Sequence, residues 1–120
     1  MYRNKRSDHV SESIFPDHHS VKSFDCYYTE TISLQSLFEE YEDISVIKMD
    51  IEGSEYSVFK NLDNIPESVK QVCVEFHHFC SNKTMEDTEE IIAKMSNLGF
   101  ENFVEKPGGK RLSELTFWRL

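Results

Sequence analysis

The stretch Ile44-Ser45-Val46-Ile47-Lys48-Met49-Asp50-Ile51-Glu52-Gly53-Ser54-Glu55-Tyr56 decides how this chain is read. The near-continuous apolar character up to Met49 predicts a strand covered on both faces. It gives out into Asp50-Ile51-Glu52-Gly53, where Gly53 suits a tight turn. From Ser54 to about Leu62 the pattern becomes helical, with Tyr56, Phe59 and Leu62 as the inward stripe and Glu55 near the positive N-terminal end. A buried strand passing through a tight turn into a helix is the opening of a βαβ unit.

On the N-terminal side, Phe24, Cys26, Tyr28 and Ile32 at even spacing predict a half-buried strand. Ser33 then caps a helix with Leu34, Leu37, Phe38 and Tyr41 at i, i+3, i+4 and i+7. On the C-terminal side, Val69 to Phe76 alternates as a strand. Thr84 to Asp87 forms a variant capping box opening a helix whose apolar face is Ile91, Ile92, Met95 and Leu98, and Gly99 stands where a left-handed C-cap belongs. Strands around Phe100–Glu105 and Ser113–Leu120 flank Lys106-Pro107-Gly108-Gly109-Lys110, a turn signal that predicts an antiparallel hairpin. The order β-α-β-α-β-α-β-β implies an α/β fold with a largely parallel sheet.

The 120 residues carry 13 Lys and Arg against 22 Asp and Glu, a net charge of −9. Residues 1–23 form a polar, slightly basic N-terminal arm, so the whole negative excess falls on residues 24–120. That balance argues against a nucleic-acid binder, whose affinity comes from neutralising phosphates. No apolar run reaches the ~18 residues of a membrane span, and the basic start has no apolar segment behind it, so it does not read as a secretory signal. Three irregularly spaced cysteines do not look like a disulfide framework, and a cytoplasmic setting is the default expectation.

Two clusters stand where chemistry belongs in an open α/β sheet, at the carboxyl ends of strands. The first is Lys48 to Glu55, whose carboxylates can meet ammonium or hydroxyl groups; the plain alternative is that Glu52 and Glu55 complement the helix dipole. The second is Glu75-Phe76-His77-His78. If the two strands are parallel neighbours, Glu75 and His77 point the same way beside the Asp50 turn, and a His there is a natural general base. The plain alternative is that one His is solvated and the other caps the strand. Metal sets from Cys73, His77 and Cys80, from Asp50, Glu52 and His77, or from His18 and His19 lack structural zinc spacing, and no metal is assigned. Phosphate-binding glycine loops and nucleophile elbows are missing from the sequence.

Thr31-Ile32-Ser33-Leu34-Gln35-Ser36-Leu37, then Ile47 to Tyr56 with Val58-Phe59-Lys60-Asn61-Leu62, and finally Val74-Glu75-Phe76-His77 resemble, in this order, three motifs of the FkbM-type methyltransferase family. The resemblance implies a class I, Rossmann-like sheet, mostly parallel with a C-terminal antiparallel hairpin. It also implies S-adenosylmethionine as methyl donor and O-methylation of a small-molecule or glycan-type hydroxyl. Asp50 and Glu52 would then bind the cofactor, Glu52, Glu75 and His77 the acceptor, and Asp50 or His77 would take the acceptor's proton. The family's Gly-rich cofactor loop has no counterpart, so residues 24–120 are expected to be a partial methyltransferase domain. Its strand at Val46–Asp50 should then have a bare edge, open to a partner chain or to self-association. The alternative is a catalytically inactive methyltransferase-like fragment acting as a protein-binding module.

Overall fold

The computed structural model of the protein describes residues 1–4, 13–15, 21–78, 82–106 and 112–120. Strands β1 (Tyr2–Asn4) and β2 (Val21–Cys26) pair antiparallel in a sheet of their own, with Tyr2 opposite Cys26. The alternation at Phe24 and Cys26 is therefore a strand, but Tyr28 and Ile32 lie beyond it and are exposed. The arm also contributes β1, which its polar composition concealed.

Helix α1 (Leu34–Glu40) starts at Ser33, whose Oγ accepts from the Ser36 N–H at 3.0 Å and so satisfies one of the free first-turn donors. Strand β3 (Val46–Met49) buries Ile47 and Met49, while Val46, 57% exposed, and Lys48 face outward. The expectation of cover on both faces fails here, because among the described residues no helix packs on the Val46–Lys48 side. Helix α2 (Glu55–Lys60) follows the turn, and β4 (Gln71–His77) runs parallel to β3 with Met49 opposite Val74. Helix α3 (Met85–Asn97) opens with a complete capping box between Thr84 and Asp87. It ends at Leu98 and Gly99, the glycine at φ +86°. Lys94 Nζ donates to the Phe59 carbonyl at 2.7 Å and to the Lys60 carbonyl at 3.3 Å, tying α3 to the negative end of α2.

Strands β5 (Glu101–Lys106) and β6 (Leu112–Trp118) form the expected antiparallel pair, whose connecting turn at 107–110 lies outside the described residues. The main sheet has the order β3-β4-β6-β5. The sheet is mixed, and the expected C-terminal antiparallel hairpin is part of it. Only the β3–β4 ladder is parallel, because the last strand folds back between β4 and β5 and runs antiparallel to both, so that β3, β4 and β5 point one way and β6 the other. The chain is thus a small α/β fold.

The core lies on the helix side of the sheet. Ile47, Met49, Val72, Val74, Phe76, Leu115 and Phe117 alternate onto that face and pack against Tyr56, Phe59, Ile91 and Met95. Phe59 is its centre, with ring centroids 5.8 Å from Phe76 and 6.4 Å from Phe117. Arg119 closes the lower end, opposite the site. Its guanidinium donates to the carbonyls of Val69, Leu98, Ile65 and Pro66 and lies over the Phe100 ring at 4.4 Å. Among the described residues no helix is long and apolar enough to cross a membrane.

Candidate functional site

The parallel pairing of β3 and β4 brings their carboxyl ends together, and the two sequence clusters meet there. Asp50 leaves β3, and the backbone then turns sharply, with Glu52 at φ +51° and Gly53 at φ +106°. For glycine this left-handed region is free; for Glu52 it costs of order 1 kcal/mol and must be held by its surroundings. Glu55 holds it. Its side chain is wholly buried; Oε1 accepts from the N–H groups of Ile51 at 3.1 Å and Gly53 at 3.2 Å, and Oε2 from Gly53 at 3.1 Å. Ser13 adds a second restraint, its Oγ donating to the Glu52 carbonyl at 2.6 Å while accepting from the Phe15 N–H at 3.1 Å.

His77 ends β4 inside this ring of acids, with its side chain 6% exposed. Its Nδ1 is 3.0 Å from Glu55 Oε1, and its Nε2 is 3.2 Å from Glu52, 3.8 Å from Glu75 and 3.9 Å from Asp50. Burial opposes a charge on the imidazole. The hydrogen bond to Glu55 and the negative charges of Glu55, Glu52 and Glu75 outweigh it, so the His77 pKa lies above its ordinary value. Glu75 is also shifted up, by burial first and then by the nearby Asp50 charge, with His77 pulling the other way. Asp50 is the most open of these groups, 40% exposed. It shares a groove of about 240 Å³ with Lys48, Cys73, Glu75, Glu114 and Thr116 on the sheet face away from the helices.

All four residues expected from the sequence, Asp50, Glu52, Glu75 and His77, thus converge on one place. Glu55 belongs with them; the sequence offers it as one carboxylate of the Lys48–Glu55 cluster or as a dipole complement, and its part in holding the turn depends on a backbone that bends back over it. The one sequence signal for it was its place in the Asp50-Ile51-Glu52-Gly53-Ser54-Glu55 phrase. The plain reading of the His pair fails too: both are buried. His78 Nδ1 lies 2.8 Å from Tyr56 Oη and its Nε2 2.8 Å from Ser113 Oγ, while Tyr56 Oη is 2.9 Å from Thr88 Oγ1. This chain of hydrogen bonds joins α2, β4, α3 and β6 beneath the site, and burial holds the His78 pKa below its ordinary value. Of the other ligand sets, Cys73 is a half-buried strand residue approached by Thr116 Oγ1 at 3.7 Å, and Cys80, His18 and His19 lie outside the described residues.

No curated protein and no solved structure matches the chain. The methyltransferase FkbM domain does, over residues 2–101, a span that contains every residue of the site. The chain therefore belongs to the FkbM methyltransferase domain family.

Proposed function

We propose that the chain carries the acceptor side of an S-adenosylmethionine-dependent O-methyltransferase acting on a small-molecule or glycan-type hydroxyl. One observation carries the reading: Asp50, Glu52, Glu75 and His77 meet at the carboxyl ends of the two parallel strands, beside an open groove. The strand order β3-β4-β6-β5, with a terminal antiparallel hairpin, supports the second half of a Rossmann-like sheet.

The residues present fit the donor by charge. An anionic rim of Asp50 and Glu52 suits a cationic cofactor and its ribose hydroxyls. When bound, S-adenosylmethionine supplies an electrophilic methyl group on a sulfonium sulfur. Glu75, reaching into the groove, accepts hydrogen bonds from the acceptor and orients it, which is where most of the rate enhancement arises. His77 is boxed between carboxylates, with Nδ1 on Glu55 and Nε2 facing Glu52, and helps hold both in place. Asp50, the more open group, receives the acceptor proton as the new carbon–oxygen bond forms.

Calorimetry and a methyl-transfer assay test this. Folded chain should bind S-adenosylmethionine, and Asp50→Asn should lose at least about a hundredfold in turnover, the lower range for a general base. No binding at millimolar cofactor, or unchanged turnover in Asp50→Asn, would overturn it. A second reading, a protein-binding module, is favoured by one observation. Strand β3 lies at the end of the sheet with Val46 exposed, a place where a strand from another segment or chain can add.

A further inference from the structure

We propose that Asp50, Glu75 and His77 form a site for a divalent metal cation of the Mn²⁺ to Zn²⁺ type. It rests on three features of the cluster. First, the imidazole is oriented in the manner of a metal ligand. Glu55 Oε1 already accepts from two backbone N–H groups, so the proton shared with His77 belongs to Nδ1. A buried carboxylate holding one ring nitrogen, with the other aimed at a group of oxygens, is how proteins fix a ligating histidine. Glu55 is no ligand itself; it stands behind His77.

Second, the distances leave room for an ion. A proton on Nε2 can be shared with Glu52 at 3.2 Å, and a binding ion would displace it to solvent and take the nitrogen's lone pair, while Asp50 at 3.9 Å and Glu75 at 3.8 Å stand too far from that nitrogen for a hydrogen bond. One oxygen of each of these carboxylates and the imidazole nitrogen all lie within 4.8 Å of one another. A point equidistant from three such atoms is at most about 2.5 Å from each, within the range of cation–oxygen bonds, and a shift of a few tenths of an ångström reaches ~2.1–2.2 Å.

Third, the site is graded in exposure, from buried His77 through half-buried Glu75 to exposed Asp50. The ion would therefore be held from the protein side and open toward the groove, leaving positions for water or for oxygens of a ligand. One imidazole with two carboxylates suits first-row divalent ions. Each carboxylate commits one oxygen and keeps the other, so Asp50 can still accept a proton.

The test is Mn²⁺ titration of the full chain, followed by electron paramagnetic resonance. It reads metal alone and is independent of methyl transfer. One site should saturate below millimolar Mn²⁺, and the bound ion should show nitrogen coupling from one imidazole. Asp50→Asn and Glu75→Gln, both on side chains that reach solvent, should keep the circular dichroism spectrum and weaken binding about tenfold or more, by analogy with losses seen on disturbing metal sites. Absence of bound Mn²⁺ on folded protein at millimolar metal would overturn the assignment. Bound metal without nitrogen coupling, or unchanged affinity in both variants, would do the same.

Discussion

Replacing Glu55 tests whether one buried carboxylate builds the site. Glu55→Ala removes the acceptor for three donors: the N–H groups of Ile51 and Gly53, and His77 Nδ1. Ile51 is partly exposed and can turn to water, so its loss counts little. Gly53 and His77 are buried, and hydrogen bonds to a charged group contribute ~1.5–3 kcal/mol each. Two of them give about 3–6 kcal/mol, in line with the ~3–5 kcal/mol for breaking a buried ion pair from one side. Glu55→Gln keeps an oxygen for the turn amides and loses the charge facing His77, so about 1–2 kcal/mol is expected. Urea unfolding followed through Trp118 fluorescence should rank parent, Gln and Ala in descending stability. Hydrogen exchange should show the Gly53 amide losing protection first. If the Ala variant lies within about 0.5 kcal/mol of the parent, the ordinary range for inert surface changes, or if Gln is as costly as Ala, Glu55 is not the organiser of this turn.

Three further outcomes follow from other parts of the fold. Tyr56→Phe removes the hydroxyl between His78 and Thr88 and should cost about 1–3 kcal/mol by leaving buried groups short of a partner; an unchanged urea midpoint would show that water or His78–Ser113 compensates. Gly99→Ala meets nothing within 4 Å of an added Cβ, so only the backbone at φ +86° resists it, and a loss of about 1 kcal/mol in chemical unfolding is expected. Asp87 accepts from the Thr84 N–H at 2.8 Å, which holds its pKa below its ordinary 3.8. Its contribution is present above that value and fades as the pH falls through the lower native pKa, so the stability gap between parent and Asp87→Asn should shrink from pH 6 to pH 3. An equal gap at both would refute the cap's charge dependence.

What could be read without coordinates was the part governed by short spacing. The helices at Leu34 and Met85 announced themselves through caps and apolar stripes, the one at Glu55 through its stripe alone, and the parity of Glu75 and His77 foretold their meeting with Asp50. What escaped needed distant partners. Val46 looks as apolar as Ile47, and only the absence of a helix on its side among the described residues makes it exposed. His78 looks like a spare histidine until α3 supplies Thr88 and β6 supplies Ser113. Glu55 has the sequence of a first-turn acid, and becomes something else because Glu52 and Gly53 adopt positive φ and present amides to it.

The placement of β6 also has a consequence in time. It is the latest strand in the sheet to be synthesised, yet it occupies an interior position, pairing Gln71 with Trp118 on one side and Glu101 with Trp118 on the other. Until it arrives β5 has no neighbour and the inner edge of β4 is open, so the β3–α2–β4 unit that carries the acidic cluster must wait for contacts far along the chain. During synthesis, the helices can form early, but the sheet closes in one late step. Nascent chains stalled before residue 112 should therefore be the ones that chaperones hold and proteases take.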